Sequence, residues 1–249
     1  MTTFTFSNKA VGIFLTAYYP NKEHFSNLLL DLQQEPIDFI EVGIPYSDPI
    51  ADGPVIQTSS EIALQQGFTM DGMFAILEEL KPQLKHPIVL MGYGNQVLQF
   101  GIEGFLERSR EVGIQALIFP DLPLEMLRAK HQELLERNAI PFVHLVTPAT
   151  SDERIQQIAL DCKQSFVYLV GSAQTTGGSY QLEDNIDRYR TIKSLCGDTP
   201  VFLGFGIDSK AKIELAHSVT DGVIIGSAYL KAVKSNSEAQ FIKELLHTS

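Results

Sequence analysis

Positive charge is scarce in this sequence. Nineteen Lys and Arg stand against thirty Asp and Glu, a formal charge of −11, and no basic cluster could track a phosphate backbone, so nucleic acid is not an expected partner. Cysteine is scarcer still: Cys162 and Cys196 form neither a CxxC pair nor a Cys/His metal pattern and read as free structural thiols in a reducing compartment. No apolar run approaches the roughly 20 residues that a membrane span requires, and the first nine residues lack a basic segment followed by an apolar one. The expectation is a cytoplasmic protein with no membrane contact. The histidines at 24, 86, 131, 144, 217 and 247 show no HxH or HExxH spacing, which argues against a metal hydrolase; His144, inside an apolar run, reads as a satisfied core residue. No Ser or Cys sits in a GxSxG elbow. What is present, 44% hydrophobic residues over 249 positions, has the composition of an ordinary globular fold.

Short apolar runs alternate with segments of helical periodicity from one end of the chain to the other. Eight runs read as buried parallel strands: Gly12–Thr16, Phe39–Gly43, Ile88–Met91, Ala116–Phe119, Ile140–Leu145, Phe166–Val170, Val201–Gly204 and Val223–Ile225. Between them, Glu23–Gln34, Met73–Leu84, Gly104–Glu111, Pro123–Arg137, Asp152–Leu160 and Ile186–Leu195 carry apolar residues at three- and four-residue spacing. Pro123 marks a first turn, Ser151 an N-cap with acidic residues behind it, and Asp208-Ser209 the start of the seventh helix. Eight strand–helix units in about 250 residues predict an α/β fold, a (β/α)8 TIM barrel, and a doubly wound sheet usually has fewer strands. No linker or composition shift divides the chain, so residues 1–249 read as one domain.

In such a barrel the chemistry sits on the loops after the strands. The second strand carries Glu41 within an apolar run, on the same face as Phe39 and Gly43, where lost hydration would keep a carboxyl protonated and suited to general-acid work. Asp48 and Asp52 follow in a loop stiffened by Pro45, Pro49 and Pro54. Gly204-Phe205-Gly206-Ile207 ends the seventh strand and Gly226-Ser227-Ala228 follows the eighth, the two places where barrels bind phosphate through backbone N–H groups and a helix start, without need of Lys or Arg. The stretch Tyr168–Ser179 is polar and rich in small residues, like a lid that would bring Thr176 and Gly177 against a ligand. Each feature has a structural alternative: a paired core carboxyl for Glu41, turn residues for the aspartates, tight turns for the glycines, a flexible connector for the lid. No lysine falls in any strand run, which disfavours a Schiff-base aldolase. Carboxylate acid–base chemistry on a phosphorylated molecule is what these residues leave.

The segment Glu41-Val-Gly-Ile-Pro-Tyr-Ser-Asp-Pro-Ile-Ala-Asp-Gly-Pro54 resembles the signature of the tryptophan synthase α chain family. The resemblance continues through Phe14-Leu-Thr-Ala17, Met91-Gly-Tyr-Gly-Asn95, Pro120-Asp-Leu-Pro123, Gly204-Phe-Gly206 and Gly226-Ser227. It implies a barrel that cleaves indole-3-glycerol phosphate to indole and glyceraldehyde 3-phosphate by a retro-aldol reaction, with no cofactor in this chain. By the same resemblance Glu41 is the acid–base residue for indole C3 and the glycerol hydroxyl, and Asp52 holds the indole N–H. Gly177, Gly206, Gly226 and Ser227 match the phosphate cradle, and Phe14, Tyr93, Tyr168, Thr176 and Phe205 match positions against the substrate. The implied partner is a pyridoxal-phosphate β chain in an αββα heterotetramer, touching Pro45–Gln57 and the loop around Tyr93–Phe100. Gly171-Ser-Ala-Gln-Thr-Thr-Gly177 lacks the arginine and one glycine usual in the family's lid, and Tyr18-Tyr19 stand where Gly-Asp is usual. These departures imply a weaker closed state and sustain a second reading, an α subunit reduced in cleavage that chiefly activates its β partner.

Overall fold

The computed structural model describes residues 6–171 and 182–247. Eight strands, β1 (Ala10–Thr16), β2 (Phe39–Gly43), β3 (Ile88–Met91), β4 (Ala116–Ile118), β5 (Phe142–Val146), β6 (Val167–Leu169), β7 (Val201–Leu203) and β8 (Gly222–Ile225), pair in parallel and in chain order, and β8 returns to β1 to close the barrel. The described helices are α1 (Lys22–Asp31), α2 (Pro54–Gln65), α3 (Met70–Leu80), α4 (Gly94–Phe100), α5 (Ile102–Val112), α6 (Leu124–Asn138), α7 (Asp152–Asp161), α8 (Ile186–Cys196), α9 (Lys210–His217), α10 (Ser227–Lys234) and α11 (Glu238–Leu246). None is long and apolar enough to cross a membrane. The expected (β/α)8 architecture is the observed one.

The helix starts follow from side-chain capping. Ser151 accepts from the Arg154 N–H at 3.3 Å and Ser209 from the Lys212 N–H at 3.4 Å, as the sequence indicates, while Asn21 and Thr69 cap α1 and α3 in the same way. Pro123 stands at the N-cap of α6, one residue ahead of the first turn expected for it. Other boundaries move further: β1 starts at Ala10 rather than Gly12, and the helix expected over Met73–Leu84 runs Met70–Leu80. The fifth strand begins at Phe142 rather than Ile140, because Ala139 takes a left-handed φ of 52° to end α6 and Pro141 has no N–H to give to the ladder. The segment after β2, read as loop through Gln57, becomes α2 from Pro54 onward, where proline's fixed φ suits a first helical position.

Interior packing is a set of large-against-small pairs between neighbouring strands. The Phe39 ring occupies the space over Gly12, where a Cβ would lie 2.3 Å from it, and the Phe14 ring lies over Gly43 in the same manner at 2.4 Å. Lower in the barrel, Phe202 stacks with both Phe39 and Phe166, which are tilted to each other, and Phe6 meets Phe202 edge-on with ring centroids 4.7 Å apart, filling the N-terminal end. Cys162 and Cys196 are both buried and unpaired; burial raises both thiols, Cys162 to about 12, so neither is a reactive thiolate at neutral pH. His144 is not the satisfied core residue expected: it lies on the outer side of β5, roughly parallel to Phe142, and its Nε2 has no partner among the described residues.

Candidate active site

Alternation along the strands sends Phe14, Glu41, Met91, Ile118, Leu145 and Tyr168 into the barrel's C-terminal half, where they form the floor and walls of a cavity of about 440 Å³. This volume suits a drug-sized ligand. Its rim comes from the loops after β2, β7 and β8: Asp52, Phe205, Gly206, Gly226 and Ser227 all line it.

Glu41 is completely buried, and among the described residues neither of its carboxyl oxygens has a hydrogen-bond partner. Loss of hydration, reinforced by the charge of Asp52, pushes it up to about 8. It is therefore protonated at neutral pH and can donate into the cavity, which the structural alternative of a paired core carboxyl does not describe.

Asp52 is held from behind. Tyr93 donates its phenolic hydrogen to Asp52 Oδ2 at 3.1 Å while its oxygen accepts the Ala51 N–H at 3.1 Å. Gln57 donates to the Asp52 carbonyl at 2.8 Å, Gln96 to the Pro45 carbonyl at 2.6 Å, and Tyr46 stacks on Tyr93 at 5.0 Å. The loop after β2 is thus clamped to the start of α4 by more than its prolines. Burial draws the Asp52 carboxyl upward, and the Tyr93 hydrogen bond opposes that rise. Tyr93 lines a small side space with Asp52 and Phe14 rather than the main cavity. Asp48, by contrast, is exposed and bonded only to its neighbour Ser47.

Across β1 from Glu41, α10 starts at Ser227 immediately behind Gly226, presenting first-turn N–H groups that no helical carbonyl can satisfy. Gly206 takes φ 73°, a left-handed conformation that favours glycine and turns the chain beside them. Together these are the donor set of an anion site. Thr176 and Gly177 lie outside the described residues. Sequence reasoning placed Glu41, Asp52 and Ser227 in this cavity but not Lys231, Asp208, Ile56 or Phe241, which also line it. Strand alternation alone would have found Met91, Ile118 and Leu145; the helix residues come from elements whose rotation about the barrel no local pattern reveals. Among the described residues no three His, Cys, Asp or Glu gather as a metal site would need.

Residues 5–248 match the family model of the tryptophan synthase alpha chain. The chain belongs to that family. The tryptophan synthase alpha chain of Christiangramia forsetii is 38% identical over 242 residues, 96% of this chain and 94% of that one. Among solved structures, the tryptophan synthase A-subunit of the hyperthermophile Pyrococcus furiosus superposes with a TM-score of 0.84 at 32% identity, covering 97% of this chain and 99% of that chain. The tryptophan synthase complex from the same organism gives 0.85 at 32% identity with the same coverage. As a tryptophan synthase alpha chain the protein is a carbon–carbon lyase of tryptophan biosynthesis.

Proposed function

We propose that the cavity binds indole-3-glycerol phosphate and that Glu41 and Asp52 carry its cleavage to indole and glyceraldehyde 3-phosphate. The observation that carries this reading is the fully buried, unpartnered carboxyl of Glu41 at the cavity wall, raised to about 8. The protonated Glu41 delivers its hydrogen to indole C3, and the ring becomes a cation whose N–H is held by the Asp52 carboxylate. Glu41, now ionised, takes the proton from the glycerol hydroxyl next to the ring. The carbon–carbon bond then breaks, its electron pair returns to the ring to give indole, and the oxygen left behind becomes the aldehyde. No net proton is consumed and Glu41 ends as it began.

Phe14 and Tyr168 would hold the indole ring between the carboxyls, with Phe205 over the mouth and Gly206, Gly226 and Ser227 on the phosphate; Thr176 and Gly177 are assigned their lid and phosphate roles by the family resemblance alone. The scheme requires no cofactor in this chain. Residues 1–249 are read as one domain, supported by the β8–β1 pairing, and the cytoplasm as its compartment, in keeping with two unpaired thiols.

A β subunit carrying pyridoxal phosphate, in an αββα assembly, is the proposed partner. Two exposed apolar side chains support a docking face at the rim: Ile50, 79% exposed, after β2, and Leu98, 54% exposed, on α4. The deciding experiment is indole release from indole-3-glycerol phosphate by the chain alone and with its β partner, with Glu41→Gln as control. Release that vanishes in the variant is expected; release that persists unchanged would remove Glu41 from the chemistry.

A further inference from the structure

Lys231 is the one basic side chain on the described wall of the cavity, and it shares that wall with three carboxyls, Glu41, Asp52 and Asp208. Asp208 is already engaged, 2.8 Å from Lys212. Among the described residues the Lys231 ammonium forms no hydrogen bond or ion pair. A lysine in the last turn of α10 has an ordinary explanation, favourable interaction with the negative end of the helix. Lys234, in the same turn, fits that explanation and does not line the cavity. Lys231 lies four residues after Ser227, so the two share one face of α10. Helical side chains lean toward the N-terminus, which directs the Lys231 stem back along that face toward Gly226 and Ser227.

The cradle formed by Gly206, Gly226 and Ser227 has backbone N–H groups and a hydroxyl but no full positive charge. A helix terminus contributes only about half an elementary charge, whereas a phosphate monoester carries nearly two negative charges at neutral pH. We propose that Lys231 is a substrate-binding residue whose ammonium contacts the phosphoryl group of the substrate and supplies the charge that the cradle lacks. The inference rests on the reading of the cavity as a site for a phosphorylated indole. It assigns the protein a phosphate contact from a charged side chain where the sequence pattern indicates only uncharged donors. It also explains how a cavity with three carboxyls, in a chain of charge −11, admits a dianion.

The test uses the full-length chain as Lys231→Gln, Lys231→Arg and Lys234→Gln. Indole release is followed against indole-3-glycerol phosphate concentration at several ionic strengths, and binding is measured for indole-3-propanol phosphate and for its phosphate-free alcohol. In Lys231→Gln, KM is expected to rise about five- to tenfold with kcat within about twofold, the pattern of lost uniform binding. The phosphate ligand weakens by the same factor, the alcohol does not, and the salt dependence of binding flattens. Lys231→Arg restores most of the affinity and Lys234→Gln changes nothing. An unchanged KM with unchanged phosphate-ligand binding would overturn the proposal, as would equal weakening of phosphate ligand and alcohol, which marks a packing role. A wild-type chain that releases no indole counts against the cleavage reading, while selective weakening of the phosphate ligand in Lys231→Gln would still uphold the lysine contact.

Discussion

The phenol ring of Tyr168 lies against Gly204 so closely that a Cβ at position 204 would sit 2.1 Å from the tyrosine oxygen and 2.2 Å from two ring carbons. Tyr168 also donates to the Gly204 carbonyl at 3.3 Å, and its ring forms part of the cavity wall. The glycine is therefore what permits the aromatic wall.

Gly204→Ala is expected to displace the Tyr168 ring into the substrate space. Overpacking of this kind costs about 1–3 kcal/mol, a fall in melting temperature of several degrees for a chain of this size, and KM for indole-3-glycerol phosphate should rise with it. Adding Tyr168→Leu should return part of the stability. Thermal melts of the two single variants and the double variant check this, and strict additivity would count against the collision.

Glu41 sets a pH dependence of stability opposite to that of a salt-bridged carboxylate. In the folded chain it is raised to about 8 from the ordinary 4.5 of a solvated glutamate, so between these values the folded state keeps a proton that the unfolded chain releases. Stability therefore falls as pH rises through this window and levels off above it. Glu41→Gln removes the effect, and the unfolding free energy of the variant relative to the parent should increase by up to about 4 kcal/mol between pH 5 and 9. Denaturant titrations at the two pH values measure it. In kinetics, if Glu41 is the proposed acid, the same substitution should lower kcat by about 10²–10⁴, and the parent's activity should decline above about pH 8 as Glu41 loses its proton.

Tyr93→Phe takes away the donor to Asp52 and the acceptor for Ala51. The hydrogen bond favours the ionised Asp52 carboxyl, so its loss should move the acid limb of the kcat profile to higher pH and reduce kcat about tenfold at pH 7. The stability cost should be about 1–2 kcal/mol, since the Ala51 N–H loses its partner. An unshifted acid limb would show that Tyr93 acts only as packing.

Much of this was legible in the sequence for a simple reason: the barrel is periodic. A buried parallel strand announces itself as a short apolar run, and Phe39–Gly43 and Ile88–Met91 begin and end where the apolar residues do. The placement of Glu41 follows from alternation alone. The clamp between Tyr93 and Asp52 joins positions 41 residues apart and leaves no local trace, since an isolated tyrosine after a strand looks like any other. The membership of Lys231 in the cavity was hidden for the same reason: an exposed lysine on an amphipathic helix reads as solvated surface until the helix is placed against its neighbours.

Docking of the β subunit should be sensitive to apolar surface at the rim. Leu98→Asp, on the exposed side of α4, should weaken association about tenfold or more while indole release by the isolated chain stays within about twofold. Titration calorimetry against the β subunit and indole release by the isolated variant separate the two. Affinity unchanged in both Leu98→Asp and Ile50→Asp would place the docking face elsewhere.

The cluster of Phe6, Phe39, Phe166 and Phe202 fills the bottom of the barrel. The cavity lies in the other half of the barrel, so the freed ring and the three-carbon aldehyde leave on the side of the loops after the strands. A protein that captures the ring without losing it to solvent has only the upper rim on which to stand, so traffic across that rim falls under the control of whichever subunit covers it.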